Sequence, residues 1–164
     1  MKATRNILAM LAMSALAAIC GFAQTSEKPT KNPKYDAAFA RKVGADKMGM
    51  RSYVLAILKT GPKDAEIKGD ERKKMFEGHF ANISRMAAEG KLAIAGPFGK
   101  NDKTFRGLYI FTVATVDEAA ALVNTDPVIK SGMMIAELVP WYGSAALMEV
   151  NRLHDMLSED NPQQ

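Results

Sequence analysis

One cysteine, one tryptophan and two histidines are all that this chain of 164 residues holds of those three types. The single thiol, Cys20, excludes an intramolecular disulfide and any cysteine-built metal centre. His79 and His154 stand too far apart in sequence for the spacing of a transition-metal site, so no metal is expected. Glycine-rich phosphate loops and the dinucleotide fingerprint are absent, and no cofactor is expected. Ser84 and Ser131 lie in no nucleophile-elbow context. Basic stripes interleaved with aromatics are also missing, which excludes nucleic acid as a partner despite the formal net charge of +4. What remains is an ordinary globular composition, 48% hydrophobic and 24% charged, enough to build a core.

The first residues, "MKATRNILAMLAMSALAAICGFAQ", have a basic start, an apolar run from Ile7 to Ile19, and small residues at Gly21 and Ala23. That pattern predicts a signal peptide over 1–23, cleaved after Ala23, and export to the periplasm or beyond. The apolar run falls short of the about 20 residues that a spanning helix needs, so no membrane association is expected after cleavage. The alternative is an uncleaved anchor, and Cys20 raises lipid attachment, against which Ile19 before it argues. Removing Lys2 and Arg5 with the leader takes Lys and Arg from 22 to 20 against 18 Asp and Glu, so the mature chain is close to neutral.

Residues 24–49 read as a linker, with Pro29, Pro33 and several lysines, and a short helix near Tyr35–Val43. From Arg51 the pattern sharpens. "RSYVLAILK" predicts a buried strand. Glu71–Glu89 predicts a helix, because Met75, His79, Ile83 and Met86 recur at helical spacing before the stop at Gly90. "KLAIAGPF" and "TFRGLYIFTVA" predict two more strands. Thr115 and Glu118 form a capping box that opens a helix ending near Asn124. "MMIAELVPW" predicts a fourth strand. The order strand, helix, strand, strand, helix, strand predicts an α+β fold of ferredoxin-like type, an antiparallel sheet with helices on one face. Such a sheet leaves its other face uncovered, which predicts a homodimer. The domain spans 50–143. Residues 144–164 form a C-terminal helix and tail, with Leu147, Val150, Leu153 and Leu157 in one apolar stripe.

Two residues carry the chemistry that the sequence offers. His79 lies between Met75 and Ile83 on the inward helical face, either as a buried, hydrogen-bonded core histidine or as a general base. Asp126 precedes Pro127, the pattern of a helix cap with proline at the first helical position. In the predicted topology it also comes near the first long helix, where a pair with His79 is possible. "AGPFG" reads as a strand-end turn or as a pocket wall made by Gly96, Pro97 and Phe98. Trp141, in "VPWYG", reads as core or interface, or as a further part of that wall. His154 reads as a surface or docking residue.

The combination of "YVLAILKTGP", "GHFANISRMAAEGKLAIAGPF", "GLYIFTVATVDEAAALVNTDPVIKSG" and "ELVPWYG" resembles the YCII-related (YciI-like) family, from about Arg51 to Gly143. The resemblance implies a dimeric ferredoxin-like domain and an active site built on a His–Asp pair, which falls on His79 and Asp126. Enzymes related to the family by fold include muconolactone isomerase and a dehydrochlorinase acting on a chlorinated hydroxyquinol. The chain departs from the family's usual form in its leader, its polar loop after the first strand and its terminal helix.

Two functions are therefore expected. In the first, His79 takes a proton from carbon next to a carbonyl on a small cyclic or aromatic compound, a lyase or isomerase step without cofactor, with Asp126 orienting the ring. In the second, the chain is a non-catalytic exported dimer that binds a small molecule or serves a structural role.

Overall fold

Apolar residues alternating with polar ones, or running unbroken, decide where the backbone must pair. A computed structural model describes residues 32–159, and from Lys34 onward the chain gathers into one unit. The expected leader, its cleavage point and Cys20 lie outside the described residues. Within the segment expected as a linker, α1 (Ala37–Lys42) is capped by Asp36, whose side chain accepts from the amides of Ala38 and Phe39.

The elements then follow as β1 (Met50–Thr60), α2 (Gly69–Ala88), β2 (Leu92–Pro97), β3 (Phe105–Phe111), α3 (Val116–Val123), α4 (Pro127–Lys130) and β4 (Met134–Ser144). The four strands form one antiparallel sheet in the order β2-β3-β1-β4. This is the α+β, ferredoxin-like arrangement with a C-terminal helix. Each helical crossover skips one strand, which places the two sequence-adjacent hairpin strands β2 and β3 at one side and β4 at the other.

On one face of β1, Val54, Ala56 and Leu58 are buried with Tyr109 and Phe111 of β3. Met86 and Leu92 join them, and Met75, Phe76 and Ile83 of α2 pack against the cluster. Fully burying side chains of this size stabilises by about 1.5–3 kcal/mol each. α2 ends in a Schellman motif: the Gly90 amide bonds to the Ala87 carbonyl and the Lys91 amide to that of Met86. Gly90 takes φ +67° there, a conformation that a side chain would strain. α3 opens with the expected capping box, Thr115 accepting from the Glu118 amide and Glu118 from the Thr115 amide.

The opposite face carries Leu55 and Ile57 of β1 against Val139 and Glu137 of β4 and Ile110 and Leu108 of β3. Ile135, Val139 and Trp141 are exposed there. The C-terminal segment differs from the single helix expected. β4 runs on to Ser144, a 3₁₀ turn follows over Ala145–Glu149, and α5 covers only Val150–Leu157. Ser144 redirects the chain by accepting from the Ala146 amide, and Asn151 Nδ2 donates to the Leu92 carbonyl, docking α5 on the start of β2. Leu147 and Val150 are half-buried, whereas Leu153 and Leu157 of the expected stripe stay exposed.

Candidate active site

Asp126 is fully buried yet ionisable, and three donors converge on it. As the N-cap of α4 it accepts from the Val128 amide through Oδ1 at 3.1 Å. Its other oxygen, Oδ2, lies 2.7 Å from His79 Nδ1 and accepts the Tyr109 hydroxyl at 3.1 Å. A carboxylate only accepts, so the shared proton belongs to Nδ1, and the imidazole donates it to Asp126. Nδ1 is then no acceptor for the Tyr109 hydroxyl 3.3 Å away. Burial first, and the Asp126 charge second, push the Tyr109 phenol far above its usual range, so it remains a donor.

This tautomer leaves Nε2 as the basic atom. Among the described residues His79 makes no hydrogen bond through Nε2, and no buried side-chain nitrogen or oxygen lacks a partner. Nε2 is therefore the atom open to the cavity that His79 lines. That half-open cavity has a volume of about 650 Å³ and lies between α2 and the end of the β2–β3 hairpin. Volumes of this size suit small-molecule ligands. Aromatic rings hold the imidazole plane. Phe76 meets it edge-on at 6.0 Å, Phe80 is tilted at 5.5 Å, and Tyr109 stacks at 6.1 Å.

Packing explains how the pair comes together. His79 sits on the inward face of α2, and Asp126 sits in the turn between α3 and α4. Gly78 brings these elements into contact: a β-carbon there would stand 2.9 Å from Pro127 Cγ. One turn along α2, buried Asn82 accepts from the Thr125 hydroxyl at 2.9 Å, and Arg85 donates both to Asn82 Oδ1 and to Thr125 Oγ1. The residue before Asp126 is thus tied to the same helix that carries His79.

Of the residues expected at the site, His79, Gly96, Pro97 and Phe98 all line the cavity. Asp126 lies behind His79 rather than on the cavity wall. Trp141 is not brought to the site. It faces Tyr53 across the β1–β4 pair, with ring centroids 5.7 Å apart, and its indole packs over Gly143. Tyr53 alternates with the inward Val54, so both rings belong to the face of the sheet opposite α2. Tyr109 and Gly78 were not expected. A signal for Tyr109 exists in its alternation: in "GLYIF" it shares the inward face with Phe111, and a buried phenol must find a partner. Among the described residues no group of three or more His, Cys, Asp or Glu side chains lies together as a metal site would require.

The model of the family described as "YCII-related domain" matches residues 53–142. The uncharacterized protein YjpA of Bacillus subtilis (strain 168) is 33% identical over 64 residues, covering 39% of this chain and 72% of that relative. A solved structure, 5-chloro-2-hydroxyhydroquinone dehydrochlorinase from Burkholderia phenoliruptrix AC1100 in complex with 2,5-dihydroxybenzoquinone, is similar at 22% identity and a TM-score of 0.40. It covers 56% of this chain and 93% of its own.

Proposed function

We propose that this chain, which belongs to the YCII-related family, is an enzyme whose His79 Nε2 removes a proton from carbon beside a carbonyl on a small cyclic compound. The observation that carries the reading is the fully buried Asp126 carboxylate 2.7 Å from His79 Nδ1. That contact fixes the base-competent tautomer and stabilises the imidazolium that forms when Nε2 takes the proton. Tyr109 donates to the same Asp126 oxygen and keeps the carboxylate from rotating. The proton held on Nε2 returns to another carbon in an isomerase step, or the electron pair expels a leaving group in a lyase step. Phe98, with Gly96 and Pro97, forms apolar wall for the substrate ring.

A second copy covers the open face of the sheet, where Val139 and Ile135 are exposed, and the leader sends the chain out of the cytoplasm. N-terminal sequencing of the mature protein beginning at Gln24 is the result expected for export.

The test of the chemistry is deuterium uptake. The full mature chain is incubated in D2O with small cyclic ketones and hydroxyquinols, and exchange at the carbon beside the carbonyl is followed by NMR. Catalysed uptake that disappears in His79→Gln is expected. Equal uptake with both proteins ends the proposal. The non-catalytic reading has one observation in its favour: Asp126 also caps α4 through Oδ1. It requires that His79→Gln and Asp126→Asn change stability alone.

A further inference from the structure

Among the described residues three arginines are half-buried: Arg51, Arg72 and Arg106. Two are accounted for. Arg51 donates to the carbonyls of Val43 and Thr112. Arg72 pairs with the Asp64 carboxylate at 2.8 Å and with neighbouring carbonyls. Arg106 makes no side-chain hydrogen bond or ion pair with any described residue, and it lines the cavity of His79. Partly desolvating a guanidinium without giving it a partner costs free energy. Lys100 lines the same cavity and is likewise without an ion pair among the described residues. The rings of Phe76, Phe80, Phe98 and Phe105 line the same cavity, and no carboxylate contributes to the lining. Asp126, the nearest acid to His79, is sealed behind it.

We infer that the cavity takes a small cyclic anion, an acid whose carboxylate is held by Arg106 and Lys100 while its ring lies among the phenylalanines. The inference rests on the cavity being the substrate site proposed above and adds the charge class of what enters it. A guanidinium fork suits a carboxylate, which it binds through two parallel hydrogen bonds. The cationic rim also raises the local concentration of anions before docking.

Benzoate and benzamide, alike in shape and different in charge, are the probes. Each is titrated into the ¹⁵N-labelled full mature chain, and the amides of Gly96, Gly99 and Gly107 are followed. Benzoate is expected to shift them, with benzamide weaker by about tenfold or more, the factor that 1.4 kcal/mol represents. Arg106→Gln should weaken benzoate about tenfold, and Lys100→Gln should weaken it less, because that ammonium is exposed. Neither side chain holds another residue, so both variants should fold. His79→Gln should keep benzoate binding, which separates this inference from the proton-transfer reading: deuterium uptake can fail while benzoate binds, or the reverse. Benzamide binding as tightly as benzoate, unchanged affinity in Arg106→Gln, or no shift with either probe would overturn it.

Discussion

Gly78 and Pro127 leave no room between them for a methyl group; a β-carbon on Gly78 would lie 2.9 Å from Pro127 Cγ. The contact sets α4 against α2, and it decides whether Asp126 reaches His79. Gly78→Ala gains about 1 kcal/mol of helix propensity and loses about 1–3 kcal/mol to overpacking against a rigid ring. The net stability change is therefore expected to run from about zero to a loss of about 2 kcal/mol. The effect on the pair is a separate quantity. A shift of α4 by a fraction of an ångström lengthens a 2.7 Å hydrogen bond, and misplacement of a catalytic group by about 1 Å can cost on the order of 10²-fold in rate. Denaturant midpoints read the first quantity and deuterium uptake the second. Parent-level uptake in Gly78→Ala would show that the close approach has no bearing on the site.

Asp126→Asn keeps the size of the side chain and reverses its hydrogen bonding. The amide NH2 facing His79 would donate to Nδ1, moving the ring proton to Nε2 and removing the base. Uptake should fall by on the order of 10²–10⁴. The tautomer is directly visible in ¹H–¹⁵N correlation spectra of the imidazole, with His154→Gln leaving one histidine signal. The parent should show the proton on Nδ1 and Asp126→Asn should show it on Nε2. Asp126→Ala instead removes the cap, worth about 1 kcal/mol, and hydrogen bonds to a charged group worth about 1.5–3 kcal/mol each, so it should be plainly destabilised.

Much of this is legible in the sequence. Thr115 and Glu118 announce their helix locally. Asp126 and His79 can be placed near each other from topology alone, since a helix that crosses the sheet brings the α3–α4 turn over α2. The side of β4 that Trp141 occupies is marked by one residue alone: in "MMIAELVP" both parities are otherwise apolar, and only Glu137, on Trp141's parity, points to the outward face. The inward residues prove to be Met134, Ala136 and Leu138, and Trp141 takes the other side. Gly78 gives no local signal either. A glycine inside a helix reads as a weak position, and only the arrival of Pro127 from a distant turn makes it necessary. In the C-terminal segment, Ser144 pairs with Met50 as the end of β4 and the Ala145 amide bonds to the Gly49 carbonyl, tertiary contacts at the start of the expected helix that its periodicity does not announce.

Tyr109 makes alkaline stability a probe of the site. Its folded pKa is raised by burial and by Asp126, whereas in the unfolded chain a tyrosine titrates near pH 10. Between those values the unfolded state loses a proton that the folded state keeps. The contribution is therefore fully present below about pH 10 and is lost above it, by about 1.4 kcal/mol per pH unit. Urea titrations at pH 9, 10 and 11 should show a shallower decline for Tyr109→Phe than for the parent, while lysine titration affects both alike. Parallel declines would mean that the phenol is not held as a donor to Asp126.

The open face of the sheet tests the proposed assembly. Val139 and Ile135 are 39% and 47% exposed and stand beside half-buried Leu55, Ile57 and Leu108 on the same surface. A second copy laid face to face would take this apolar strip out of water. Val139→Lys places a charge at its centre, and an unpaired charge is costly to bury. The side chain points away from the helix-covered core, so the fold itself should survive with near-parental melting. Sedimentation velocity should give a dimer for the parent and a monomer for Val139→Lys at the same concentration. A parent that sediments as a monomer, or a variant that remains a dimer, would remove this face from the interface. A monomeric Val139→Lys that still catalyses deuterium uptake would locate all the chemistry within one chain, consistent with His79, Asp126 and Tyr109 meeting on elements of a single copy.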